Sequence, residues 1–124
     1  MPARGEIWLA DLNPRRGTEP GKTRPVLIVQ APALLNAGHP STIVVPMTTN
    51  LVDDAMPLRV RVPAAGRRRE SDIMVDQIRA IDNRRLVKGP FGRLSATLME
   101  RVGDALAQVI GLDAHTPDQH TVHF

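Results

Sequence analysis

Gly17-Thr18-Glu19-Pro20-Gly21-Lys22-Thr23-Arg24-Pro25-Val26-Leu27-Ile28-Val29-Gln30 sets a breaker-rich polar loop directly against an unbroken aliphatic run. Val26 to Val29 contains no polar residue, which predicts a strand buried on both faces rather than a half-exposed one. Pro25 forces the residue before it out of the helical region, so Arg24 is held extended at the strand's mouth. A cation fixed beside a flexible, acid-bearing loop is what a phosphate-handling site needs. An ordinary surface arginine has the same local sequence.

Working outward, Glu6–Leu12 is bounded by Gly5 and Asn13-Pro14 and reads as a strand. Ala31–Pro40 is turn-like, with a short helical turn around Ala33–Asn36. Thr42–Met47 is a third strand, and Pro46 marks an irregular end or an edge. Leu58–Val62 alternates, which puts Leu58, Val60 and Val62 in the core and turns Arg59 and Arg61 outward. Asp72–Val75 and Arg79–Ile81 are short strands flanking Asp76-Gln77. Leu86–Leu94 is a last strand, twisted or bulged at Gly89-Pro90 and Gly92. From Ser95 the period becomes helical: Leu98, Val102, Ala105, Leu106, Val109 and Ile110 share one face. Ser95 or Thr97 serves as N-cap, and Gly111 stops the helix. The expected architecture is mainly β, a small antiparallel β-barrel covered by a C-terminal amphipathic helix, in one domain over residues 1–112. Residues 113–124 read as a polar, flexible tail.

The chain has 124 residues, a net charge of +3 and no cysteine. Without cysteine there is no disulfide or thiolate metal site, which fits a reducing cytoplasm. The N-terminus lacks an apolar signal core, and no stretch approaches a membrane span, so a cytoplasmic protein without a membrane partner is expected. Residues 1–93 carry 15 Lys/Arg against 9 Asp/Glu, whereas residues 94–124 carry 1 against 4. A basic body with an acidic C-terminal segment suggests a polyanion-binding surface that leaves out the final helix. Only Lys22 and Lys88 are lysines. Arginine's planar fork suits bidentate phosphate contacts, although an arginine-rich proteome explains the preference as well.

Glu19, Arg24 and Thr48-Thr49 stand beside predicted strand ends. If strand register brings them together, they suit cleavage of RNA by its own 2′-hydroxyl. That reaction needs a base for the 2′-oxygen, positive charge on the pentavalent phosphorane and protonation of the leaving 5′-oxygen. Arg24 supplies charge-assisted hydrogen bonds and Thr48 a further donor, with no metal or cofactor required. Taken singly, Glu19 also reads as a solvated loop carboxylate and Thr48 as a strand-end threonine. His115, His120 and His123 lie in the polar tail and make no metal site. Gly17-x-x-x-Gly21-Lys22-Thr23 is one residue short of a phosphate loop and precedes a strand, so a nucleotide site is not expected. Arg67-Arg68-Arg69 and Arg84-Arg85 are solvated charge or a phosphate track. Trp8, Phe91 and Phe124 are the only aromatics, leaving little for base stacking.

Several ordered blocks carry a family likeness. They are Arg4–Pro14, Gly17-Thr18-Glu19, Arg24–Val29, Val45-Pro46-Met47-Thr48-Thr49-Asn50 and Asp76-Gln77-Ile78-Arg79-Ala80-Ile81-Asp82. In these blocks the chain resembles the MazF/PemK toxins, and the likeness extends through the helix. The resemblance implies an SH3-like barrel of the PemK/CcdB kind, a homodimer, and metal-independent, sequence-specific cleavage of single-stranded RNA. It implies 2′,3′-cyclic phosphate and 5′-hydroxyl ends, and an antitoxin whose C-terminal segment covers the RNA groove. Arg24 matches the family's catalytic arginine, Thr48 its catalytic threonine, and Glu19 an acid implicated in some members. Gln77 matches groove-lining positions. Thr18, Lys22, Thr49, Asn50 and Asp76 join it as RNA-binding candidates beside these blocks. Some members have a histidine at the position of Thr18 and an arginine at that of Met74, so their acid/base assignment does not transfer, and Asp76 reads as catalytic or structural. Arginine's pKa above ~12 makes Arg24 a phosphorane stabiliser, with Glu19 the leading base candidate. Two other readings are a same-fold toxin acting on a topoisomerase by protein contact, as CcdB-like proteins do, and a non-catalytic nucleic-acid-binding barrel.

Overall fold

The computed structural model describes residues 2–14, 16–19, 21–64 and 69–112. The tail histidines, Phe124, Arg67 and Arg68 lie outside the described residues. Among the described residues seven strands are formed: β1 (Glu6–Asp11), β2 (Thr23–Ile28), β3 (Ser41–Thr48), β4 (Arg59–Val62), β5 (Ser71–Met74), β6 (Arg79–Asp82) and β7 (Leu86–Arg93). A short helix α1 (Pro32–Asn36) follows β2, and α2 (Ala96–Val109) closes the described chain. All pairings are antiparallel, in the order β4-β5-β3-β2-β1-β7, with β6 also on β3. The expected mainly β fold with a C-terminal helix is present. Its barrel-like sheet does not close by strand pairing, because the path ends at β4 and β7. No helix among the described residues is long and apolar enough to cross a membrane.

Val26, Leu27 and Ile28 are each fully buried, and the reason lies in two separate cores. Leu27 and Val29 join Ile7, Val45, Met47, Val60, Val62, Ile73 and Val75, under the α2 residues Val102 and Ala105. Val26 and Ile28 point the other way, onto Ala10, Leu12, Leu35, Val44 and Ile81. Alternation of side chains along β2 therefore serves both clusters at once. Each such side chain contributes roughly 1.5–3 kcal/mol on burial.

Two sequence expectations are corrected at β2. It begins at Thr23 rather than Val26, because Asp11 and Ala10 of β1 pair with Thr23 and Arg24. Arg24-Pro25 is thus inside the strand rather than at its mouth. The strand stops at Ile28, where the buried Gln30 amide continues the pairing by accepting from Ile43 N–H and donating to Ser41 C=O.

β3 meets β2 along one edge and β5 and then β6 along the other. Between the pairs Met47↔Ile73 and Val44↔Arg79, two residues of β3 oppose five on the partner side. The surplus is taken up by a 3₁₀ turn over Val75–Gln77. Ile43 directs its backbone groups toward β2, since its C=O accepts from Val29 N–H. Strand alternation then turns Pro46, which has no N–H to offer, toward the interrupted edge. Pro46 sits where the ladder asks for no donor.

Leu58 also departs from expectation: it is 49% exposed, because it closes a turn onto Ala55 and β4 starts only at Arg59. Ser95 caps α2 by accepting from Leu98 N–H, as expected. Gly111, at φ +77°, ends it, with Gly111 N–H on Gln108 C=O and Leu112 N–H on Ala107 C=O. That is a Schellman arrangement. It leaves Ile110 past the helix and 52% exposed, off the buried face assigned to it.

Gly89 lies under Trp8, where an added Cβ would sit 2.5 Å from Trp8 Cδ2. Gly92, in the same strand, has nothing within 4 Å of such a Cβ. Gly89→Ala is expected to lose about 1–3 kcal/mol through overpacking, whereas Gly92→Ala changes stability by less than ~0.5 kcal/mol. Urea unfolding midpoints of the two variants check this, and equal losses would contradict the packing described.

Candidate active site

The even-numbered positions of β2 and β3 face the smaller core until its apolar residues run out. The register Val26↔Pro46, Leu27↔Val45, Ile28↔Val44, continued two residues further, sets Arg24 opposite Thr48. Both strands reach those positions. The same face carries Asp72, opposite both Thr48 and Arg61, and Met74, opposite Arg59. One open cleft of about 490 Å³ results, lined by Glu19, Lys22, Arg24, Thr48, Asn50 and Arg59, with Asn13, Thr18, Gly21 and Met74 completing its wall. A smaller recess of about 200 Å³ continues past Arg24 and Thr48 to Thr49 and Ser71.

Of the residues expected at a site, Glu19, Arg24, Thr48, Thr18, Lys22 and Asn50 share the large cleft, and Thr49 lines the recess. Asp76 and Gln77 lie in the 3₁₀ turn on the far edge of β3 and line neither. Arg59 was expected only to point outward. The structure shows that its outward side is the cleft wall. Met74, where some members of the resembling family have an arginine, faces Arg59 across the β4–β5 pair.

Arg24, Thr48 and the Lys22 backbone are held locally. Arg24 Nε donates to Gly21 C=O at 3.1 Å, tying the loop to the strand. Thr48 Oγ1 accepts from Asn50 N–H at 3.1 Å. That bond occupies a lone pair and leaves the hydroxyl proton available as a donor. Lys22 adopts φ +66°, a left-handed conformation that costs a non-glycine residue about 1–3 kcal/mol. Its N–H donates to Asn13 Oδ1 at 2.7 Å and its C=O accepts from Leu12 N–H at 2.9 Å. Arg85 braces the same corner by donating to Asn13 C=O at 2.7 Å.

Asp72 is the electrostatic anchor behind this face, with its side chain 1% exposed. Arg61 Nε donates to Oδ1 at 2.6 Å, while Val52 N–H at 2.8 Å and Arg59 Nη1 at 3.3 Å donate to Oδ2. Burial pushes the carboxyl upward, but the hydrogen bonds from Arg61, Val52 N–H and Arg59 outweigh it and hold the group below the usual carboxylate range. Arg61 in turn is held more firmly charged by its bonds to Asp72 and Asp53.

Because folding lowers the Asp72 pKa, the stability it supplies is complete above the unfolded value of about 3.9 and is lost as pH falls through the folded value. Asp72→Asn is expected to cost about 2 kcal/mol at neutral pH, below the ~3–5 kcal/mol of a fully buried pair because both arginines keep solvent contact. The variant should also lose less stability than the wild type between pH 5 and pH 3 (roughly the span of carboxylate titration). Urea titrations across that span measure both effects, and parallel acid limbs would contradict the assignment.

A family model described as PemK-like, MazF-like toxin of type II toxin-antitoxin system matches residues 3–110. Endoribonuclease EndoA of Bacillus subtilis (strain 168) is 36% identical over 105 residues, covering 83% of this chain and 89% of that protein. The crystal structure of MazF from Deinococcus radiodurans matches with a TM-score of 0.75 at 24% identity, covering 89% of this chain and 96% of that one. A mycobacterial endoribonuclease in complex with its cognate antitoxin matches with a TM-score of 0.70 at 24% identity, covering 90% and 97% of the two chains. The fold and the extent of these matches agree, and the chain belongs to the PemK-like, MazF-like toxins of type II toxin–antitoxin systems.

Proposed function

We propose that the chain is an endoribonuclease that cuts single-stranded RNA at the Glu19–Arg24–Thr48 cleft without a metal ion. The observation that carries this reading is the meeting of these three side chains in one cleft through strand register and loop closure. The relative named Endoribonuclease EndoA supports it independently.

In the proposed reaction the RNA 2′-oxygen attacks the neighbouring phosphorus and the bond to the 5′-oxygen breaks. The products are a 2′,3′-cyclic phosphate and a 5′-hydroxyl. Glu19 accepts the proton of the 2′-hydroxyl, and the leaving 5′-oxygen takes up a proton from solvent in the open cleft. Arg24, charged at every working pH, and the Thr48 hydroxyl donate to the equatorial oxygens as charge builds there. Lys22 and Asn50 hold the strand within the cleft, and Thr18, Thr49, Asp76 and Gln77 contact it further along. The toxin unit is assigned to residues 1–112. A homodimer in the cytoplasm is proposed as the active species, silenced when a cognate antitoxin lays its C-terminal segment over the RNA groove. The mycobacterial complex supports that partner.

With a chelator present, the purified protein is expected to cut a long, varied RNA at discrete sites bearing cyclic-phosphate ends. Arg24→Ala and Thr48→Ala should each lower the cutting rate by about 10²–10³ while melting near the wild-type temperature. A protein that leaves RNA intact but blocks a topoisomerase, or that binds RNA without cutting, would point to the CcdB-like or the binding-barrel reading instead. Sedimentation at the assay concentration should give twice the 13.6 kDa chain mass, and a monomer that cuts at full rate would remove the dimer from the proposal.

A further inference from the structure

Arg59 enters the cleft wall from β4, two strands away from Thr48 in the order β4-β5-β3. Its guanidinium is anchored through one nitrogen. Nη1 donates to Asn50 C=O at 2.7 Å and to Asp72 Oδ2 at 3.3 Å. Nε and Nη2 make no hydrogen bond among the described residues. The side chain keeps 23% exposure. An arginine already immobilised at one corner, with its remaining N–H groups at a wet cleft, loses little further freedom on binding an anion.

The charge count favours an anion at the same place. Asp72 is claimed mainly by Arg61 Nε at 2.6 Å and Val52 N–H at 2.8 Å. Arg61 also reaches Asp53, but that carboxylate is 83% exposed and well solvated. Arg61 is thus shared between Asp72 and Asp53, and Arg59, bound to Asp72 only at 3.3 Å, is the cation of the cluster that faces the cleft. Arg59 pairs with Met74, two residues along from the Asp72 that faces Thr48, so the backbones of Arg59 and Thr48 are separated by two strands and two residues, roughly 12 Å in all. That spacing places a second phosphate within reach of Arg59, distinct from the scissile one between Arg24 and Thr48.

The geometry points to Arg59 as the ligand of a flanking RNA phosphate, a subsite that fixes where the strand lies before the chemical step. This subsite rests on the reading of the cleft as an RNA-cutting site. It accounts for a cation that Asp72 holds in place but does not fully neutralise.

The test uses an RNA that the wild type cuts, made with a single 2′-deoxy nucleotide at the cut so that no nucleophile is present. Affinity is measured against salt concentration. Arg59→Gln should bind about tenfold more weakly at low salt, and the slope of log affinity against log salt should shrink by about 0.7, one phosphate contact on a single strand. Arg59→Lys keeps the charge and should keep the slope. Arg61→Gln loses the same Asp72 partner but lies outside the large cleft, so its slope should remain that of the wild type. In wild-type protein, an uncharged methylphosphonate at one flanking position should reproduce the loss, with no added effect in Arg59→Gln. An unchanged slope in Arg59→Gln, or an equal drop in Arg61→Gln, overturns the subsite while leaving cutting by the wild type intact. Should Arg59→Gln melt below the assay temperature, the methylphosphonate scan on wild type decides, and the absence of any sensitive flanking phosphate overturns the subsite. A wild type that neither binds nor cuts RNA refutes the reading of the cleft itself.

Discussion

The aliphatic run Val26-Leu27-Ile28 has no solvent-facing side, and the rest of the molecule is arranged to supply two. One face is met by the cluster under α2, the other by the cluster around α1. Neither cluster would be closed without this strand, because alternate residues of β2 are shared between them. The partition also fixes register. A slip of one residue would exchange the two sets of side chains between cores of different shape. Since β3 is held to β2 by that register, the facing of Arg24 and Thr48 follows from packing residues distant from them.

The polar site is thus the continuation of a buried face beyond the end of its apolar content. On β2, Ile28 and Val26 give way to Arg24, and on β3, Val44 and Pro46 give way to Thr48. Asp72 performs the corresponding task on the β5 side, where a buried carboxylate needs cations and recruits them from β4. Positive charge in the cleft is in this way part of the fold's own accounting of buried charge.

Much of this was legible in the sequence. The apolar run, the alternation at Val60 and Val62, the change of period at Ser95 and the stop at Gly111 each carry a local physical signal. Arg24, Thr48 and Glu19 could be named as candidates because their residue types and neighbours suit phosphate chemistry. Their meeting could not be read, because it depends on Val26 facing Pro46, a contact between segments twenty residues apart in the chain. Arg59 and Asp72 were the larger omissions. Alternation says that Arg59 faces outward but not what lies outside. Nothing local distinguishes a strand aspartate buried between two arginines from a solvated one. The early start of β2 was hidden for a similar reason, since Thr23 and Arg24 become strand only because β1 offers them partners.

The corner at Asn13 and Lys22 separates the loop above it from the strands below. Asn13 accepts the Lys22 N–H, Leu12 N–H reaches the Lys22 carbonyl, and Arg85 holds the Asn13 carbonyl, so both ends of the segment between them are fastened to the sheet. The strained Lys22 backbone is the crossing point of this clasp. With the ends pinned, lengthening the intervening segment adds only a logarithmic entropy term, about 0.6 kcal/mol for a doubling in length. Arg24 would keep its place in β2 throughout. The fold thereby separates two kinds of change: the segment between the pinned corners can lengthen while Glu19 and Gly21 stay at the cleft, whereas the β2–β3 register beneath it cannot shift.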